Sequence, residues 1–132
     1  MAKQTVRDID WTGKRALVRV DFNVPFERGT RRIADDIRIR EALPTIHSLR
    51  EAGASVVLCT HFGRPGGQAS AEFELTPIAE RLAYLLSTKV DYVHDAPGDD
   101  ARSKAAALKP GEVLLIENVR FWPGEEANHV EF

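Results

Sequence analysis

The sequence is short of sulfur, of long apolar runs and of any charge excess. Its one cysteine among 132 residues, Cys59, excludes an internal disulfide framework and a cysteine-based zinc site. A lone cysteine among apolar neighbours fits a reducing compartment. The longest apolar runs, such as Leu82–Leu86, reach four or five residues, far below the ~20 that a membrane helix needs. Met1 to Arg7 leads into no apolar segment of the kind a secretion signal carries. The 18 Lys plus Arg stand against 20 Asp plus Glu, a net charge of −2. That balance excludes a protein that wraps a polyanion by bulk charge. No internal repeat or low-complexity tract appears, and no dedicated metal ligands stand out. The expectation is a cytoplasmic protein with neither a membrane nor a nucleic-acid partner.

What remains is the composition of an ordinary soluble domain. The length supports one domain with a real core, since chains of about 150 residues bury roughly 68–70% of their unfolded surface. Thirteen of the 18 cations are arginine, the better fork for phosphate or carboxylate. A local basic pocket is therefore compatible with near-neutral overall charge.

Four short runs rich in β-branched residues read as strands: Ala16–Val20, Val56–Cys59, Val90–Val93 and Val113–Ile116. The second and fourth are continuously apolar, as expected when both faces of a parallel strand are covered. Helical patterns separate them. Ile39, Leu43, Ile46 and Leu49 share one face. Asp35 or Asp36 can cap that helix, Gly53 can end it, and Pro44 predicts a kink or a break. Thr76-Pro77 reads as N-cap and first turn of a second helix with Ile78, Leu82 and Leu85 as its stripe. Asp100 to Lys109 reads as a third, stopped by Pro110-Gly111. The β-α alternation predicts an α/β domain with a mostly parallel sheet. Residues 66–74 read as an exposed, mobile loop. Asn128 could cap a further helix begun by His129–Phe132, which would leave one face of the fourth strand poorly covered. An N-terminal fragment of a longer protein is the expectation.

Ligands of open α/β sheets bind beyond the carboxyl ends of the strands. There the sequence places Asp21-Phe22-Asn23-Val24-Pro25, then His61-Phe62-Gly63-Arg64-Pro65, then His94-Asp95, then Glu117-Asn118-Val119-Arg120-Phe121. Arg38 falls in the first turn of the first helix. Taken singly, each residue has an ordinary role. Asp21 and Asn23 can form Asx turns, His61 can be a loop histidine, and the glycines can be turn residues. Arg28, Arg31 and Arg32 can be solvated, and Cys59 can be a small buried hydrophobe. Together, Arg38, Arg64, Arg120 and His61 would crowd one sheet edge. Guanidinium groups so gathered repel unless an anion lies between them. The pattern predicts a small, polyanionic, hydroxylated ligand and does not name a reaction.

The strings Leu17–Pro25, His61–Pro65 and Glu117–Phe121 resemble the N-terminal domain of the phosphoglycerate kinase family. Asp36–Arg40 with Ala42–Ile46, and Leu108–Leu115, resemble the same family. The resemblance runs through nearly the whole chain in order. Phe62 stands where the family usually has leucine, and Cys59-Thr60 where Met-Ser or a similar pair is common. Both changes are mild.

The resemblance implies a Rossmann-like three-layer α/β domain, incomplete at its C-terminus, spanning residues 1–132. It implies the triose-binding part of an enzyme that interconverts ATP plus 3-phosphoglycerate with ADP plus 1,3-bisphosphoglycerate in glycolysis. Mg-ATP or Mg-ADP would be the co-substrate, held by a C-terminal nucleotide domain outside this chain. The complete enzyme would be a monomer, and the fragment by itself would bind no nucleotide and be inactive. Carried over by motif, Asp21, Phe22 and Asn23 would lie against the triose, with Asp21 and Asn23 at its carboxyl end and C2 hydroxyl. His61, Phe62, Gly63, Arg64 and Arg120 would line the 3-phosphate end. Arg38 would be the catalytic residue, stabilising charge on the phosphoryl group in flight. The competing expectations are a stand-alone anion-binding α/β module without catalysis, and an interaction domain whose arginines pair with surface acids.

Overall fold

The four apolar runs become four strands because each has neighbours able to cover it. In the computed structural model, which describes residues 5–27, 29–63 and 74–126, the order is β1 (Arg15–Arg19), α1 (Ile37–Glu51), β2 (Ser55–Cys59), α2 (Thr76–Leu86), β3 (Val90–Val93), α3 (Asp99–Ala106), β4 (Val113–Ile116) and α4 (Pro123–Glu126). The sheet runs β1-β2-β4-β3, and every pairing is parallel. The expected α/β class with a parallel sheet is the one observed.

Strand alternation splits the core in two. Ala16, Val56, Leu58, Val113 and Leu115 face α1 and α2, which supply Ile39, Ile46, Leu49, Ile78, Leu82 and Leu86. The opposite face sets Val57, Leu114, Ile116 and Val93 against Ala101 of α3. The layers are thus two helices, the sheet and one helix. On the α3 side Leu17 of β1 is 71% exposed.

Several expectations are corrected. All four residues of β4 are buried, because it lies between β2 and β3 with an apolar cluster on each face. Those neighbours supply its cover on both sides. Pro44 does not break α1, which is one helix of 15 residues. Pro44 is exposed, so water can take the carbonyl four residues back that its missing N–H leaves free. An interior proline costs about 3 kcal/mol, whereas burying Ile39, Ile46 and Leu49 stabilises by about 1.5–3 kcal/mol each. Gly53 does end α1: at φ +90° it lets Ala54 N–H reach the Leu49 carbonyl and its own N–H reach that of Arg50, at 3.0 and 3.1 Å. These are the two bonds of a Schellman motif. Leu75, not Thr76, is the cap position of α2, and the Thr76 hydroxyl donates to Glu74 instead. α3 stops at Ala106, three residues short of the expected end. Lys109 precedes a proline and is disfavoured in helix. The residues expected to start a helix, 128–132, lie outside the described residues, as do 66–73 of the expected mobile loop.

Candidate functional site

The loops after β1, β2 and β4 meet because those strands are neighbours in the sheet. Their junction is built on two fully buried polar side chains. Thr60, at the end of β2, accepts the Phe22 N–H on its hydroxyl at 3.0 Å and donates to the His61 carbonyl. Asn118, after β4, accepts the Phe62 N–H at 3.1 Å and donates to the Phe62 carbonyl at 2.7 Å. The same Asn118 oxygen accepts the Arg120 N–H at 3.1 Å, fixing the 3-10 turn Val119–Phe121. Both residues are 0% exposed, so any unmade bond there would cost about 1–3 kcal/mol.

Asn23 completes the seam. Its Oδ1 accepts the N–H of Gly63 at 3.0 Å, and Gly63 turns the loop at φ +63°, where a side chain would be strained. Arg38, the second residue of α1, donates from Nη1 to the Asn23 carbonyl at 2.8 Å and to Asp21 at 3.3 Å. Asp21 also accepts the Asn23 N–H, the expected Asx turn. Beside Arg38 opens a cleft of about 600 Å³ walled by Asn23, Val24, Pro25, Asp35 and Ile37. Both charged groups of the Arg38–Asp21 pair are about half-exposed, so the pair is a weak tether that an anion can replace.

The second cation is held more tightly. Glu125, in α4, accepts from Arg120 Nε on one oxygen and from Arg19 Nη2, at 2.7 Å, on the other. Burial alone would raise the Glu125 carboxyl, but the two guanidinium groups outweigh it and hold it below the usual range. His61 is lowered, first by burial and then by the Arg120 charge. A neutral imidazole thus sits in the field of Arg120 at neutral pH. The cations do not face one another bare: Asp21 and Glu125 answer them.

The structure therefore brings together Asp21, Asn23, Arg38, His61, Gly63 and Arg120. Phe22 and Phe62 take part in the junction through their backbones. Phe22 is 0% and Phe62 7% exposed, and Phe62 stacks on Phe26 with ring centroids 5.1 Å apart. Their apolar side chains belong to the core, and only their backbones shape the loops. Arg64 lies outside the described residues. Cys59 is half-buried, and burial pushes its thiol up, which suits a packing role. Asp95 is spent on α3, accepting the N–H groups of Gly98 and Ala101.

Sequence reasoning missed Thr60, Asn118, Arg19 and Glu125. Asn118 stands inside the Glu117–Phe121 motif, and its place two residues after an all-apolar strand was the available signal. Glu125 gave none, since its partners are 5 and 106 residues away in the chain. Sequence reasoning also missed Glu74, His94 and Glu117 as a group, although their ligand atoms lie within 4.8 Å of one another.

The family model described as phosphoglycerate kinase matches residues 6–132. The chain belongs to the phosphoglycerate kinase family. It is 54% identical over 128 residues to the phosphoglycerate kinase of Herpetosiphon aurantiacus, covering 97% of this chain and 32% of that protein. It is 55% identical over 130 residues to that of Roseiflexus sp. strain RS-1, again 97% and 32%. Among solved structures, phosphoglycerate kinase from Pyrococcus horikoshii OT3 superposes with a TM-score of 0.79 at 39% identity, over 88% of this chain and 28% of that one. The enzyme from Coxiella burnetii gives 0.75 at 38% identity, over 89% and 28%. The chain thus spans about a third of the length of the curated relatives it matches. Membership of this family stands against a stand-alone anion-binding module. Among the described residues, no helix is long and apolar enough to cross a membrane.

Proposed function

We propose that this chain supplies part of the triose-binding domain of a phosphoglycerate kinase. The complete protein would transfer a phosphoryl group between Mg-ATP and the carboxylate of 3-phosphoglycerate, reversibly, in the cytoplasm, as a monomer. A second domain outside these residues would hold the nucleotide, so these residues alone bind none and do not turn over.

One observation carries the proposal: Arg38 reaches from α1 across to the Asp21–Asn23 turn, while Arg120 and His61 stand at the ends of the neighbouring strands. A loose phosphoryl-transfer transition state asks for positioning and charge, with little covalent work. Arginines whose present partners are carboxylates suit that task, since an incoming phosphate or carboxylate can take their place and be held by both prongs of the fork. Asp21 and Asn23 would orient the triose carboxyl end and C2 hydroxyl. His61, Arg64, Arg120 and the Gly63 backbone would meet the 3-phosphate, and Arg38 would stabilise the group in transfer.

Amide NMR of this chain, titrated with 3-phosphoglycerate at low salt, tests the ground-state part. Saturable shifts centred on Asn23, Gly63 and Arg120 are expected. Dispersed peaks that do not move would separate this surface from triose binding.

A further inference from the structure

Glu74 precedes α2, His94 follows β3 and Glu117 follows β4, so no sequence motif joins them. The fold nonetheless sets one ligand atom of each within 4.8 Å of the others, and His94 Nδ1 is 3.1 Å from Glu117 Oε2. Tyr92 Oη stands between the two carboxylates. It accepts the Leu75 N–H at 2.9 Å and lies near Glu117 Oε2 and, at 3.2 Å, Glu74 Oε2. A phenol has one proton. It can serve one carboxylate, leaving the other oxygen against oxygen. The Glu117 side chain is only 4% exposed; its Oε1 accepts the Asn118 N–H at 2.9 Å, while its Oε2, which Tyr92 and His94 share, faces the Glu74 carboxylate, where a cation is favourable. Arg31, at 3.2 Å, and the Thr76 hydroxyl also answer Glu74. Access is provided from the other side: His94 is 70% exposed, and a cleft of about 500 Å³ reaches Tyr92 and His94 past Asp100 and Lys104.

We propose that Glu74, His94 and Glu117 form a binding site for a divalent cation of the zinc class. One imidazole with two carboxylates is a donor set for Zn²⁺ and its first-row neighbours, whereas Mg²⁺ prefers oxygen and keeps its waters. Zinc–ligand bonds of about 2.0–2.1 Å place tetrahedral ligands roughly 3.3 Å apart. The His94–Glu117 edge already meets that spacing. Glu74 must close by at most about 1.5 Å from the 4.8 Å limit, within reach of a side-chain rotation. Tyr92 then holds the bound carboxylates in orientation, and water from the cleft completes the shell. The cation ties the turn before α2 to the ends of β3 and β4. It is independent of phosphoryl transfer.

The test is calorimetric titration of the purified longer protein with Zn²⁺ in metal-free buffer, paired with thermal melting and the visible spectrum of Co²⁺. One equivalent should bind at micromolar concentration, raise Tm and give tetrahedral Co²⁺ bands. His94→Ala and Glu74→Gln should each weaken binding at least tenfold, and millimolar Mg²⁺ should not compete. His94→Ala removes an exposed side chain, so its fold is retained and circular dichroism can verify it. Absence of saturable binding would overturn the proposal. So would binding that His94→Ala leaves unchanged, which would assign the metal to other surface histidines.

Discussion

Asn118 grips Phe62 by both of its backbone groups, accepting from the N–H at 3.1 Å and donating to the carbonyl at 2.7 Å. The loop after β2 is therefore positioned in part by a side chain from the loop after β4, beside its own Thr60 and Asn23 of the loop after β1. Asn118→Ala strands three backbone groups, counting the Arg120 N–H. At about 1–3 kcal/mol for each group kept dry, less what relaxation recovers, the loss should be about 2–4 kcal/mol. Urea unfolding measures it, and an unmoved midpoint would show that the grip carries no stability.

On the proposed function the Arg38 guanidinium would act mainly on charge in the transition state, so Arg38→Ala, made in the longer protein, should lower kcat by about 100-fold or more and raise KM little. Steady-state kinetics decides this. A large rise in KM at constant kcat would move Arg38 to ground-state binding. Arg120→Ala should show the opposite emphasis, on triose affinity.

Glu125 gives the stability a pH signature. Its folded carboxyl lies below the usual range, so its contribution is complete above the unfolded value of about 4.3 and disappears as pH falls through the lower folded value. Glu125→Gln should cost about 1 kcal/mol at pH 7, discounted because Arg19 is half-exposed. The gap from the parent chain should close below pH ~4. A gap that persists at low pH would mean the loss comes from packing and not from charge.

His61 should titrate below the ordinary value of about 6.5, because burial and Arg120 both disfavour its charge. Arg120→Gln should move the NMR titration midpoint upward. Bound phosphate, by neutralising Arg120, should do the same. A midpoint insensitive to Arg120→Gln would separate the two side chains.

Much of the scaffold was legible because its cause is local. Val113–Ile116 and Val56–Cys59 announce doubly covered strands by composition, and Gly53 announces a helix end. Sheet order was not legible: nothing in the β4 sequence says that it inserts between β2 and β3. Pro44 misled because a local rule lost to the burial of Ile39, Ile46 and Leu49. Site residues on strand-end motifs were visible as types, whereas the burial of the Phe22 and Phe62 side chains within those motifs was not. Thr60 and Glu125 each tie in one partner distant in sequence, Phe22 and Arg19, where periodicity carries no information.

The insertion of β4 also sets a timetable for synthesis. β2 pairs with β1 at Arg15–Arg19 early, but its other edge waits for Val113–Leu115, almost sixty residues later. At about 5–20 residues per second, a growing chain carries that unpaired hydrophobic edge for roughly 3–12 seconds. Through that interval the edge can template pairing with other chains, and the Asn118 side chain that ties the loop after β2 has not yet been made. Aggregation of nascent chains should thus depend on elongation speed between β2 and β4, a stretch where slow codons would be a liability.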